Sequence, residues 1–431
     1  MQKHFYGIDF GTSNSVLSIF DRSKNDVIKT YSVPSVLYFP FQQNLHESIQ
    51  YLVGEKAIQH YIQEGMKGRF MKSIKNVLPI SNFTETRIGN NLYNAADLVS
   101  FILTELKSYA DLFVGYECDT VIMGRPVFFN DDDSNKDDLA QNRLKSAAEK
   151  SGFTTVKFQY EPISAAFAYE KTINGKEKVL VIDVGGGTTD FTYIELDPTK
   201  TGKTDRRKDI LATGGITIGG DSFDASFMWE KGTPHFGRGV KYESMPGKMV
   251  DLPSSFFQNI CSWQEMNFFN GPKVRNSLNQ YYIYTRKHPL LKNLLTLTYF
   301  NLGYTVFQEI EKVKIELTTR ENSTFHYSKH EIEINDSISK NEYNAIIKND
   351  VERLSKAITK FLQTNSISTT EIDTVFLTGG TSLVEEIQEL CRQLFTGISI
   401  QTGDHFLSVA KGLAHSEYLL EEEMDPSDNL S

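Results

Sequence analysis

Ile8-Asp9-Phe10-Gly11-Thr12-Ser13-Asn14 and Ile182-Asp183-Val184-Gly185-Gly186-Gly187-Thr188-Thr189-Asp190 are two versions of one phrase. Each runs from an apolar strand into an aspartate, then through a glycine turn set with hydroxyls, then into a second strand with alternating apolar positions. Short apolar runs bounded by glycine read as buried strands joined in a hairpin. A turn without Cβ atoms lets successive backbone N–H groups close on an anion. Thr12, Ser13, Thr188 and Thr189 add hydroxyl donors beside Gly11 and Gly185, Gly186 and Gly187. Two such turns facing one another would hold a triphosphate from both sides. Asp9 and Asp183, at the strand ends, would then hold Mg²⁺ through its waters. The plainer alternative is two ordinary hairpins with each aspartate a turn residue. A P-loop is excluded because G-x-x-x-x-G-K-[ST] is absent, and a dinucleotide fingerprint because Gly185 to Gly187 lead into a strand rather than a helix.

Outward from these hairpins the chain alternates between strands and helices. Periodicity predicts helices over 94–113, 135–151 and 383–394, a long helical stripe from Tyr343 to Phe361, and strands over 120–123, 156–160 and 374–377. Residues 197–209 read as a solvated hairpin loop, 230–253 as an irregular Gly-, Pro- and Lys-rich stretch, and 421–431 as a frayed acidic tail. At about 100 to 200 residues per domain, 431 residues allow two to four units. The net charge of −10 disfavours duplex nucleic acid or an anionic membrane surface as main partner. No run approaches the ~20 apolar residues of a membrane span. The three cysteines form no C-x-x-C pair and the histidines show no H-E-x-x-H spacing. A cytoplasmic protein without a disulfide framework or zinc site is expected.

Three further elements carry a family resemblance. Together with the two hairpin phrases, Glu161-Pro162-Ile163-Ser164-Ala165-Ala166, Gly219-Gly220-Asp221-Ser222-Phe223-Asp224 and Thr378-Gly379-Gly380-Thr381-Ser382 resemble, in order and spacing across roughly residues 5 to 415, the nucleotide-binding domain of DnaK-type heat-shock-70 chaperones. The Phe70-Met71-Lys72-Ser73 segment points the same way. The resemblance implies an α/β, two-lobed actin-like ATPase fold with a ribonuclease H-like duplicated core and four subdomains around a nucleotide cleft. Its lobes would span 1–172, with an outer subdomain near 36–95, and 176–420, with an outer subdomain near 226–309.

The resemblance also implies roles. Lys72 would reach the γ-phosphate and attacking water, Glu161 would position the water, Asp183 would be the metal-side carboxylate and possible base, and Thr188 would bond the γ-phosphate. Asp9 and Asp190 would complete the metal surroundings. Glu311 and Lys314, three apart on a predicted helix and so on one face, would grip the ribose. Thr318 would face the base, and Gly219, Gly220 and Asp221, with Gly379, Gly380 and Thr381, would line the adenosine and α-phosphate. ATP or ADP and Mg²⁺ are the implied cofactors, and a protein client or co-chaperone the implied partner.

The chain departs from the family in placing Ile315 and Leu383 where two arginines sandwich adenine, and Asp221-Ser222 where the family has Glu-Asp. The stretch after 420 carries no match to the family's linker and peptide-clamping domain, and the resemblance is to short YegD-like members, which would lack them. The aromatic-rich stretch 229–304 agrees with that subgroup and is expected to be mostly subdomain core. The expected function is Mg²⁺-dependent ATP binding with slow hydrolysis coupled to lobe closure, in a chaperone-like role. A nucleotide switch without turnover, a filament-forming actin-like protein and a small-molecule kinase of the same superfold are the rivals.

Overall fold

The computed structural model describes residues 2–41, 51–130, 133–200, 207–262, 266, 271–403 and 408–421. The chain packs as two compact units, one of Met1–Thr217, Ser355–Leu383 and Gln388–Ser431, the other of Ile218–Leu354 and Val384–Ile387.

The first unit contains both hairpin phrases, and each sits in a five-stranded sheet of the same design. In the first sheet the order is Thr155–Tyr160, Thr120–Arg125, His4–Phe10, Asn14–Asp21, Asp26–Pro34. His4–Phe10 pairs antiparallel with the next strand in sequence and parallel with Thr120–Arg125. The second sheet repeats this as Ser399–Thr402, Thr374–Thr378, Glu177–Val184, Thr189–Leu196, Ile210–Ile216. Glu177–Val184 is again antiparallel to the next strand and parallel to Thr374–Thr378. The central strands read as nearly unbroken apolar runs because both their faces are covered.

Helices supply the cover. Ala95–Val114 lays Leu98, Ile102 and Leu106, at one-turn intervals, into a core with Tyr6, Ile8 and Leu17. An Asn94–Asp97 capping box starts this helix and Gly115, at φ +84°, ends it. A second core joins the two sheets: Phe5, Phe20 and Ile122 from the first meet Val179, Ile194 and Phe376 from the second, through the helices Glu161–Glu170 and Ser408–Ala414. These helices touch without an intervening side chain at Gly412, where a Cβ would lie 1.7 Å from the Ser164 carbonyl oxygen.

In the second unit, Gly303–Thr319 packs on the hairpin of Asn322–Lys329 and Ile332–Ser339. Phe227 stands edge-on to Phe325 at 5.6 Å in its interior. The stretch expected to be irregular over 230–253 instead contains a short hairpin, Lys241–Met245 with Lys248–Asp251, turned at Pro246-Gly247 with Gly247 at φ +79°. The aromatic-rich segment divides: Phe257 is buried, whereas Tyr284 and Tyr299 are exposed. Trp263, Phe268 and Phe269 lie outside the described residues, as do 422–431 of the expected acidic tail and 201–206 of the expected loop. Among the described residues no helix is long and apolar enough to cross a membrane.

Candidate functional site

The two glycine turns approach one another within the first unit. Gly11 is forced by its own hairpin, since a Cβ there would meet the Asn14 carbonyl oxygen at 2.2 Å. A Cβ on Gly187 would lie 3.6 Å from both Thr12 Oγ1 and Asn76 Oδ1, so the second turn faces the first across a side chain's width. The second turn is closed by the Gly185 amide, which donates to the Thr188 carbonyl at 2.9 Å. The late glycine motif reaches the same place. Gly379, at φ +81°, leaves no room for a Cβ, which would sit 2.5 Å from Asp183 Oδ1, and the Thr381 hydroxyl donates to the Gly185 carbonyl at 2.8 Å.

Carboxylates gather around these turns. Asp183 and Asp190 are direct cross-strand partners in their hairpin, and both are buried. Asp190 accepts from the Val127 amide and from the Thr188 hydroxyl, each at 3.2 Å. Asp9 ends the equivalent strand of the first sheet. Glu161 begins the helix Glu161–Glu170, with Pro162 in the first turn where its missing N–H costs nothing. Its Cγ lies 3.2 Å from where Gly124 would carry a Cβ, so the strand Thr120–Arg125 passes close beneath it.

Among the described residues, Lys75 brings an ammonium to this cluster. Its Nζ stands 2.7 Å from Glu161 Oε1, and both side chains are largely buried. Lys72, expected at this place, lies three residues earlier on the strand Arg69–Lys72, paired with Val36. A 3₁₀ turn over Ile74–Val77, opened by Ser73 at φ +55°, carries the chain from that strand to Lys75. The signal for Lys75 was its position between Ile74 and Leu78, whose buried side chains anchor the turn in the first core.

Charge of one sign in a buried space has the expected effect. Burial, and then the nearby Glu161, push the Asp9 carboxyl up to about 7, against the pull of Lys75. Asp190 is raised to about 7 for the same leading reasons. Asp183 is pushed well above the usual carboxylate range by burial and by Asp190, Glu161 and Asp9. Burial alone would lower Lys75, but Glu161, Asp9 and Asp190 together raise it.

Such a set is short of positive charge. Its donors are hard carboxylate oxygens, the chemistry that suits Mg²⁺ or Ca²⁺ rather than a soft metal. Among the described residues no group of three or more His, Cys, Asp and Glu is close enough to form a direct cage. The fit is therefore to a hydrated ion such as Mg²⁺, which keeps several waters and shares itself with phosphate oxygens.

The remaining expected residues belong to the second unit. Lys314 makes a 2.8 Å ion pair with Asp224, and burial of this lysine is outweighed by Asp224, Glu311 and Asp221, which raise it. Gly219 precedes the helix Gly220–Phe227, which bears Asp221 and Asp224. The Thr318 hydroxyl is turned onto its own helix, donating to the Ile315 carbonyl at 2.7 Å, and Ile315 itself is 59% exposed.

A family model described as Hsp70 protein matches residues 5–233 and 304–428. The chain is 32% identical over 230 residues to the chaperone protein DnaK of Thermosipho melanesiensis, covering 52% of this chain and 35% of that protein. It is 23% identical over 401 residues to the chaperone protein DnaK of Ureaplasma urealyticum serovar 10, covering 90% of this chain and 54% of that protein. The same identity over the same length relates it to the DnaK of Ureaplasma parvum serovar 3, with 90% and 53% covered. The chain thus spans about half the length of the two Ureaplasma proteins and about a third of the Thermosipho one.

Proposed function

Because the chain belongs to the Hsp70 family, and with it to the two-lobed actin-like ATPase fold, we propose that it binds ATP with Mg²⁺ and hydrolyses it slowly, rocking its two sheets to gate a protein client or co-chaperone. The observation that carries this reading is the Lys75–Glu161 ion pair, set among Asp9, Asp183 and Asp190 beside two facing glycine turns. Three widely spaced cysteines, Cys118, Cys261 and Cys391, with no C-x-x-C pair among them, suit the reducing cytoplasm.

In this reading the turn amides and the Thr12, Ser13 and Thr188 hydroxyls cradle the phosphates, and Lys75 takes the part first expected of Lys72. Its ammonium supplies charge where the transferred phosphoryl group gains it. Glu161, held by Lys75, orients the attacking water. Asp183, raised above the usual range, is suited to accept that water's proton. Asp9, Asp183 and Asp190 would hold Mg²⁺ through its waters, and the ion, when bound, neutralises phosphate charge. Glu311, Lys314 and Thr318, with Gly219, Gly220 and Asp221, and with Gly379, Gly380 and Thr381, form the nucleoside side of the proposal. A switch that binds without turnover is the second reading. It is favoured by Ile315, an exposed apolar side chain that cannot stack a base as a guanidinium does.

The test is single-turnover hydrolysis of labelled ATP by wild type, Lys75→Ala and Lys72→Ala, with Mg²⁺ and with EDTA. Slow, metal-dependent turnover is expected. Lys75→Ala should lower it by about 10² or more while ATP affinity stays within about threefold, because the deleted charge acts mainly in the transition state. Lys72→Ala should change it little. Bound ATP without turnover would leave the switch reading standing, and loss confined to Lys72→Ala would return the role to that residue.

A further inference from the structure

The segment that delivers Lys75 has little regular structure to hold it. Ser73 opens it in a left-handed conformation, which strains a residue bearing a Cβ, and its buried hydroxyl finds no hydrogen-bond partner among the described residues. After the 3₁₀ turn, the chain over 78–83 continues through tight turns, with the Leu78 amide donating to the Lys75 carbonyl, Ile80 to Val77 and Phe83 to Ile80. The buried Ile74 and Leu78 pin the turn to the core, but apolar contacts do not set its rotation.

One side chain from elsewhere in the unit does. Arg143, on the helix Ser134–Lys150, donates through Nη1 to the Leu78 carbonyl at 2.8 Å, to Ile80 at 2.9 Å and to Val77 at 3.2 Å, and through Nη2 to Phe83 at 2.7 Å. A guanidinium is planar with its donors in fixed directions, so four carbonyls converging on it are oriented as a set. One of those carbonyls closes the turn of Lys75, and the next belongs to the residue whose amide caps it.

We propose that Arg143 is the positioning residue for Lys75: by gathering the carbonyls of Val77, Leu78, Ile80 and Phe83 it fixes the turn from which the Lys75 ammonium reaches Glu161. Its catalytic consequence rests on the reading of Lys75 given above.

The experiment compares wild type, Arg143→Met, Arg143→Lys and the Lys75→Ala/Arg143→Met double variant, with folding checked first by circular dichroism and Tm. The direct readout is the Lys75 ammonium signal in protein labelled at the lysine side-chain nitrogen, identified by its loss in Lys75→Ala. In wild type without nucleotide the signal should be protected from exchange. In Arg143→Met it should exchange at least about tenfold faster, with single-turnover hydrolysis down about tenfold to a hundredfold and ATP affinity little changed. Arg143→Lys, which keeps the charge and much of the stem, should not restore either readout, because one ammonium cannot span the carbonyls. It also carries the reading if the methionine variant does not fold. In the Lys75→Ala background, Arg143→Met should cost Tm but no further rate.

An ammonium signal unprotected in wild type, or equally protected in Arg143→Met, overturns the positioning role, as does a full further loss of rate in the double variant. If wild type turns over no ATP, the hydrolase reading fails while the ammonium signal still decides the role of Arg143. Normal hydrolysis together with an unmoved signal in Arg143→Met reverses that, sinking the positioning role and leaving the hydrolase.

Discussion

Asp190 is a side chain the protein holds at a cost. Its folded-state value of about 7 stands above the ordinary 3.8, so the folded form resists ionisation. The penalty is absent below about pH 4, builds between pH 4 and 7, and is complete above; a shift of that size corresponds to about 4 kcal/mol. Asp190→Asn keeps an acceptor for the Val127 amide and removes the charge. It should raise the Tm of the nucleotide-free protein at pH 8 and leave it unchanged at pH 4, read by calorimetry at both. An equal shift at the two pH values would mean that packing, not charge, sets its worth. Among the residues, the places of Asp9, Asp183, Asp190 and Glu161 in the fold were legible because each stands near a strand terminus or begins a helix. Lys75 was not. Lys72 closes a strand and Lys75 sits in a 3₁₀ turn, and what sets Lys75 against Glu161 is the left-handed Ser73 between them and the buried flanks, Ile74 and Leu78.

At the level of elements, the duplicated sheets were readable from the repeated strand, aspartate, glycine turn and strand. The short hairpin at Lys241–Asp251 was overlooked because its Pro246-Gly247 turn lay among lysines and other glycines that read as irregular. What no periodicity carries is the closeness of two helices. Ser408–Ala414 also lies against the strand His4–Phe10, where a Cβ on Gly7 would come 2.7 Å from the Ala414 amide nitrogen. Gly412→Ala would drive a methyl into the Ser164 backbone. The two helices must then separate inside the core they share, at about 3 kcal/mol or more, in the upper range for overpacking. Urea unfolding should show the midpoint fall or the protein recovered only as aggregate, whereas Gly115→Ala, with open space around it but φ +84°, should cost about 1 kcal/mol. Similar losses for both would contradict the close crossing.

For the molecule as a whole, two opposed pH trends share one chain. His415, partly buried and edge-on to Phe20 at 5.4 Å, is lowered to about 4, chiefly by burial and then by Lys171. A lowered histidine keeps its full contribution above about pH 6.5 and loses it as pH falls towards 4, by up to about 3 kcal/mol. The site carboxylates act in the reverse sense over nearly the same window, so the sum is flatter than either part. His415→Leu should therefore unmask the carboxylates, giving a protein whose Tm rises on acidification from pH 7 to 5; a profile parallel to wild type would count against the histidine's part. Nucleotide is expected to act on the whole as well. At about a hundred times its Kd it adds about 2.7 kcal/mol, and with EDTA the gain should largely vanish if the carboxylates hold the ion. Equal stabilisation with and without metal would remove Asp9, Asp183 and Asp190 from that role.

The crossing at Gly412 has a genetic side. Every single-nucleotide missense change of a glycine codon brings in a side chain, and at 412 the smallest of them already meets backbone. A saturation library would thus show that codon nearly bare of survivors, while Val179 or Ile194, in the core the two helices share, admit swaps of similar volume. A narrow passage for inheritance in this chain falls at a position with no side chain at all.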